Sequence, residues 1–192
     1  MNYIDEENNL TIKGKAAREI TCCDCLLVTE LLFSNVLDKL PIDEIAAFLS
    51  CFILNSNEFN FEDPEISDEF TKAIEELKKI NNKINEEETK ENFAESNYNR
   101  KIDFSIAPTI KSWMAGEHFS EILEECDLEE GKVYSIINRL SGFFDSICEF
   151  YNVLGNKTLG QKYVDAKAVL LRDVMTCQSL YLQDDLNLKE ID

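Results

Sequence analysis

Apolar residues recur every three or four positions along most of the chain, which is the spacing that places them on one face of an α-helix. Few long stretches alternate between polar and apolar positions, and only 6 glycines and 3 prolines interrupt the pattern. The sequence therefore predicts an all-α helical bundle of about six or seven helices. The predicted helices cover residues 25–33, 41–53, 68–84, 104–115, 119–126, 130–154 and 158–182.

Residues with strong positional preferences mark the ends of these helices. Asp24 and Ser67 stand just before apolar stripes and predict N-caps, and Pro41 suits a first helical turn. Gly155 predicts the C-terminal cap of the helix that ends at Leu154. The helices predicted over 25–33 and 41–53 are joined by a short connection. We therefore expect these two helices to form an antiparallel pair.

Composition predicts one domain with polar segments at its edges. Residues 1–9 are predicted to be an acidic N-terminal tail, 10–182 the helical bundle and 183–192 a C-terminal tail. Within the bundle, residues 55–67 and 85–100 are polar or acidic and predict surface loops. A chain of 192 residues with 44% hydrophobic content can bury one sizeable core.

Cysteine usage and the N-terminal sequence indicate the compartment. No run approaches the roughly 20 apolar residues of a membrane span, and the first residues lack the order of a signal peptide. The 7 cysteines are an odd number, which favours a reduced, intracellular setting. Cys22-Cys23-Asp24-Cys25 is a cluster, but His118 is the only histidine and is not beside it. We therefore predict no metal site.

The charge of the chain limits the classes of function. The formal net charge is −19, from 38 acidic and 19 basic residues, which argues against autonomous binding to nucleic acid. The short helix 119–126 and the helix that follows have a helix-turn-helix outline. The second helix begins at Glu129 and Glu130, whose carboxylates would repel phosphates, so sequence-specific DNA binding is not expected.

No arrangement of residues that would support catalysis is found. The sequence contains no G-x-x-x-x-G-K-[ST] loop for nucleotide phosphates, no G-x-S-x-G elbow and no H-E-x-x-H helix. Acidic pairs are abundant, but on so acidic a chain their proximity says little about acid–base chemistry. This chain alone is therefore not expected to be an enzyme.

Four blocks of the sequence resemble the DSHCT domain, the C-terminal helical bundle of exosome-associated, superkiller-type DExH-box RNA helicases. The blocks are LTIKGKAAREI at 10–20, LVTELLF at 27–33, EIAAFLS at 44–50 and the stretch 152–182, which ends in SLYL. The resemblance implies a domain C-terminal to two RecA-like ATPase domains. Such a domain covers the RNA path and helps to guide RNA 3′ ends to the RNA exosome and its adaptor proteins, while ATP and Mg²⁺ bind in the helicase core.

The resemblance also implies RNA contact by the helix from Glu130. The family pattern there reads E-G-S-x-x-R-x-x-R-R-L-E-E, and this chain has Lys132 after the Glu-Gly pair, Ser135 and Asn138 in place of two arginines, and Arg139 retained. These four residues are the candidate contacts to single-stranded RNA, expected to be weak in isolation. An arginine among apolar neighbours can also pack its stem and pair with a carboxylate, so a structural role for Arg139 stays open.

For other residues shared with the family, we expect structural or interdomain roles. Arg172 and Asp173 lie in the last predicted helix, and Glu30 lies in the first. The resemblance includes a nuclear helicase and a cytoplasmic mRNA-decay relative. The segment 49–52 favours the nuclear one, whereas 43–47 favours the cytoplasmic one, and we choose the nucleus. A different hypothesis, based on the charge, is a stand-alone acidic protein-interaction module whose RNA role has lapsed.

We expect the isolated chain to hydrolyse no ATP, with or without RNA, because it has no phosphate-binding loop. Phosphate release from a purified preparation measures this. RNA-stimulated turnover that is lost when a residue of this chain is substituted would contradict the prediction.

Overall fold

The computed structural model describes residues 2–53, 66–90, 102–126 and 128–172. In these ranges the chain forms eight α-helices and no β-strand, so the predicted all-α fold is confirmed. Predictions that fall on 54–65, 91–101, 127 and 173–192 lie outside the described residues. The helices are α1 (Ile12–Ala17), α2 (Cys25–Phe33), α3 (Ile42–Leu49), α4 (Asp68–Lys90), α5 (Ala107–Ala115), α6 (Phe119–Glu125), α7 (Glu130–Val153) and α8 (Lys157–Leu170).

The helices pack in an order that differs from their order in the sequence. The long helix α7 packs chiefly on α8 and also receives α1, while α3 packs on α5 and α8, and α2 packs on α4. The expected antiparallel pair of α2 and α3 is therefore wrong as a principal contact. Helix α2 packs on α4 and α1, and α3 packs on α5 and α8.

Three phenylalanines join separate parts of the bundle. Phe48 of α3 lies edge-on to Phe70 of α4 and to Phe104, with ring centroids 5.4 and 5.3 Å apart, and the rings of Phe70 and Phe104 are 6.0 Å apart. All three side chains are at most 1% exposed. Such edge-to-face contacts add to the hydrophobic stabilisation and fix the relative positions of three segments.

The predicted caps are confirmed. The Asp24 side chain accepts a hydrogen bond from the Leu27 N–H at 2.9 Å, and the Ser67 hydroxyl accepts one from the Phe70 N–H at 3.1 Å. Gly155 follows α7 with φ of +73°, in the left-handed region that glycine adopts without a steric penalty. These local signals therefore set the starts of α2 and α4 and the end of α7.

Three predicted boundaries need correction. The helix predicted over 41–53 ends at Leu49 and continues as a 3₁₀ turn over Ser50–Phe52. Residues 85–90, predicted to belong to a loop, are the last turns of α4, and the Lys90–Glu87 ion pair at 2.7 Å supports the helix there. The helix predicted to reach 182 ends at Leu170, because Leu171 leaves the helical conformation with ψ of 36°.

The N-terminal segment is not a free tail from residue 2 onward, which corrects the prediction for 1–9. Its backbone turns back at an isolated antiparallel bridge between Ile4 and Leu10, and the Tyr3 hydroxyl donates to Glu30 at 2.8 Å. A Cβ on Gly14 would lie 2.2 Å from the Tyr3 carbonyl oxygen, so only glycine permits this close approach. In the described part of the chain, none of the helices is long and apolar enough for a membrane span.

Ser67→Ala should destabilise the fold by about 1–2 kcal/mol, because this hydroxyl caps α4 and also donates to the buried Glu44 carboxylate at 2.5 Å. Urea unfolding measures the difference. Thr71→Ala in the same turn is the control, since its exposed hydroxyl only bonds back to the Ser67 carbonyl. Equal effects of the two substitutions would contradict the prediction.

Candidate nucleic-acid interface

The helix α7 is divided into a buried stripe and an exposed face. Its buried apolar side chains contact α1 and α8, so the opposite side must point to solvent. The exposed residues of α7 between 132 and 139 form the polar face of α7: Lys132, Tyr134, Ser135, Asn138 and Arg139. The structure thus brings all four predicted RNA contacts together on one surface, as the helical spacing requires.

The geometry of this face suits an extended polar ligand. Lys132 and Arg139 are seven residues apart, which corresponds to two turns and about 10 Å along the helix axis. Ser135 lies between them, and the Asn138 side-chain amide donates to the Tyr134 carbonyl oxygen at 3.1 Å. The Asn138 oxygen therefore points away from the backbone bond and can accept a hydrogen bond from a ligand.

The described residues give Arg139 no ion-pair partner. No carboxylate among them lies within 4 Å of its guanidinium group, whose position on the helix is exposed. The structural alternative for Arg139 required such a carboxylate. Its contact with RNA stays a prediction, but the guanidinium group is accessible for one.

Carboxylates precede the polar face along α7 and recur about three turns beyond it. Glu129 and Glu130 are exposed at the start of α7, and Glu149 is exposed near its end. Asp145 is neutralised by Lys167 of α8, whose ammonium nitrogen lies 2.6 Å from a carboxylate oxygen. The two cations of the face thus lie between acidic groups, which limits the phosphate backbone that the isolated domain can attract.

Tyr134 also belongs to the polar face, but the sequence analysis did not select it because its neighbours in the sequence are apolar. It is 40% exposed, although it stands beside the buried Val133. The signal is its phase, because position 134 lies off the stripe formed by 133, 136, 137 and 140. Its neighbour on the helix surface is Asn138, four residues further on, and an exposed aromatic ring at the edge of the polar face is a group on which a nucleic-acid base can stack.

Arg172 holds the end of the bundle together. Its guanidinium carbon lies 3.8 Å from the centroid of the Trp113 ring, and it donates to the Trp113 carbonyl oxygen at 2.8 Å and to the Glu117 carbonyl oxygen. In return, the Trp113 indole N–H donates to the carbonyl oxygen of Leu170 at 2.8 Å. The ends of α5 and α8 are therefore joined through this pair. The neighbouring Asp173 lies outside the described residues.

Glu30 joins separate segments of the chain, as Arg172 does. It accepts from the Tyr3 hydroxyl at 2.8 Å and from the Lys13 ammonium group at 2.6 Å. Burial, and then the hydrogen bond to Glu30, raise the pKa of Tyr3 well above its usual value. Glu30 thus fixes the N-terminal segment and α1 on α2, and it lies apart from the polar face of α7.

The described residues were also considered for a metal-binding cluster. Within the described ranges, no group of three or more His, Cys, Asp or Glu side chains could hold a metal ion. In the described ranges the chain is an all-α domain whose long helix α7 exposes a polar face.

Comparison with protein families identifies this domain. The model of the DSHCT (NUC185) domain matches residues 7–177, and the chain belongs to this family. Its relatives include the DExH-box ATP-dependent RNA helicase DExH10 of Arabidopsis thaliana, 32% identical over 95% of this chain and 18% of that protein. They also include the human Exosome RNA helicase MTR4, 24% identical over 95% and 18%, and the Saccharomyces cerevisiae Antiviral helicase SKI2, 28% identical over 94% and 14%. The chain thus spans less than a fifth of each of these relatives.

Arg172→Lys should lower the free energy of unfolding by about 1–3 kcal/mol, because lysine keeps the charge but loses the flat group that stacks on Trp113 and reaches two carbonyl oxygens. Thermal and urea unfolding measure this. Arg18→Lys is the matched control, since Arg18 is exposed and pairs only with its neighbour Glu19. Unchanged stability of Arg172→Lys would show that the stacked geometry contributes nothing.

Proposed function

We propose that this chain is the C-terminal helical domain of an ATP-dependent DExH-box RNA helicase and that it guides RNA 3′ ends to the RNA exosome for processing and decay. The family match over residues 7–177 is the observation that carries the proposal. The names of the relatives, which include an exosome RNA helicase and an antiviral helicase, support the exosome part. The RecA-like core, with its ATP and Mg²⁺, and adaptor proteins are the further partners.

The polar face of α7 is the proposed contact with RNA. Arg139 and Lys132 would bind phosphates, Ser135 and Asn138 would form hydrogen bonds, and Tyr134 would stack on a base. Each phosphate that is neutralised on a single strand contributes about 0.7 to the slope of log affinity against log salt concentration. With two cations, the isolated domain should bind RNA weakly and with a shallow slope.

The acidity of the domain fits a guiding role better than a holding role. With a net charge of −19, the chain repels RNA everywhere except where local cations face it. In a helicase, the core would supply most of the affinity, and this face would align the strand that emerges. RNA would then slide past a surface that does not retain it.

The nucleus is the proposed location, as in the nuclear helicase that the sequence resembles, and the cytoplasm is the alternative. The relatives include both MTR4 and SKI2 helicases. Imaging of the tagged full-length protein that carries this domain distinguishes the two.

Arg139→Ala should weaken binding to single-stranded RNA and reduce the salt slope by roughly one unit if its guanidinium group contacts a phosphate. Fluorescence anisotropy with a short RNA at several salt concentrations measures both. Lys72→Ala is the matched control, because it removes one positive charge from an exposed position on α4 and leaves the polar face intact. In the full-length helicase, Arg139→Ala should impair unwinding more than ATP hydrolysis.

The same comparison tests the second candidate function, an acidic protein-interaction module, which the net charge favours. Unchanged RNA affinity of Arg139→Ala, together with a large fall in its melting temperature, would show that Arg139 is a packing residue. The guiding role of α7 would then be wrong, and the interaction module would be the better proposal.

A further inference from the structure

An open cleft lies between the C-terminal end of α2 and the central turns of α4. Its apolar lining consists of Phe33 from α2 with Ile80 and Ile84 from α4. Phe33 is 40% exposed, yet its ring is held in place by Phe150, edge-on with centroids 5.7 Å apart, and by the Lys13 ammonium group 5.1 Å from its centroid. The cleft therefore presents a preformed apolar surface to solvent.

The size of the cleft limits the ligands that it can take. Its volume is about 260 Å³, whereas sites for cofactors and drug-sized molecules usually enclose roughly 300–1,000 Å³. A cleft of this size that is also open to solvent covers too little of a cofactor to bind it by burial. It is large enough for one or two side chains of a peptide.

The carboxylates in the lining of the cleft are already paired. Glu30 accepts from the Lys13 ammonium group at 2.6 Å, and Glu76 lies 3.3 Å from the Lys79 ammonium nitrogen. Because each negative charge is offset by a lysine, neither carboxylate leaves a strong negative field at the cleft.

Lys83 adds a positive charge that the lining does not offset. It is exposed on α4, one turn after Lys79, and in the described ranges it forms no ion pair. Glu87, one turn further on, pairs instead with Lys90 at 2.7 Å. In a domain with a net charge of −19, the cleft is therefore a local position where a carboxylate of a ligand is attracted.

We propose that this cleft binds a short acidic segment of a partner protein, with a large apolar side chain against Phe33 and a neighbouring carboxylate at Lys83. A nucleic acid suits the cleft less, because Glu30 and Glu76 on its walls oppose a row of phosphates, whereas a peptide needs only one carboxylate at Lys83. The cleft contains no residue of the polar face of α7, so the proposal goes beyond the contact with RNA and does not depend on it.

The experiment adds three peptides to the full chain and follows binding by fluorescence anisotropy. The first peptide has leucine and phenylalanine at its centre and aspartates on both sides, the second has alanines at the centre, and the third has serines in place of the aspartates. We expect the first peptide to bind most tightly, because only it supplies both the apolar side chain and the carboxylates. In nuclear magnetic resonance spectra of the labelled chain, it should shift the amide signals of residues 30–34 and 76–84.

Two charge-reversal variants separate the cleft from the charge of the whole domain. Lys83→Glu should weaken binding of the first peptide about three- to tenfold, because it replaces an attraction by a repulsion at the cleft. Lys72→Glu is the matched control, since it makes the same change in net charge at an exposed position on α4 that does not line the cleft. A peptide with lysines in place of the aspartates should gain more affinity from Lys83→Glu than from Lys72→Glu, which a folding defect cannot imitate.

Several results would overturn the proposal. They are a first peptide that binds no better than the other two, signal shifts that lie outside the cleft, and equal losses of affinity in Lys83→Glu and Lys72→Glu. Shifts of the cleft signals by a short single-stranded RNA but not by the first peptide would also overturn it, because the cleft would then take a nucleic acid. None of these results bears on Arg139, so the guiding function can fail or hold separately.

Discussion

The requirement that α7 bury its apolar stripe determines most of the remaining structure. Val133, Ile137, Leu140 and Phe144 are at most 1% exposed, and they hold α7 against its neighbours over its length. Because 24 residues of one helix are fixed in rotation by this burial, the positions between the buried ones have no freedom to turn inward. The polar face of α7 is therefore a consequence of packing. Its residues can therefore change in chemistry without a change in the fold.

Contacts between chain segments far apart in sequence close the bundle around this helix. Lys162 of α8 donates to the carbonyl oxygens of Asp38 and Leu40 at 2.8 and 2.6 Å and thereby satisfies the backbone of the turn before α3. Partial burial lowers the pKa of Lys162, which opposes the charge that these carbonyl oxygens favour. Trp113 and Arg172 make the equivalent link between α5 and α8. In both links, a polar group at a helix end is satisfied by a side chain from more than 50 positions away, so the links depend on the fold as a whole.

Local signals in the sequence predict the parts of this fold that depend on local physics. The caps at Asp24 and Ser67 need only a side-chain oxygen and the next turn, and the stripe of α7 needs only helical spacing, so both could be predicted. The pairing of α2 with α4, the end of α8 at Leu170 and the folding of Tyr3 onto Glu30 could not, because each is set by a partner distant in sequence. The polar extension of α4 to Lys90 was missed for a related reason. Ion pairs three residues apart stabilise a helix whose composition alone favours a loop.

The residues of the candidate site were also predictable only where local sequence determines their position. The resemblance supplied the four candidate side chains Lys132, Ser135, Asn138 and Arg139, and helical phase explains why all four are exposed on α7. Since a positive charge favours a nearby anion, any attraction of an anion to the start of α7 is concentrated at Lys132 and Arg139 in a domain whose net charge is −19.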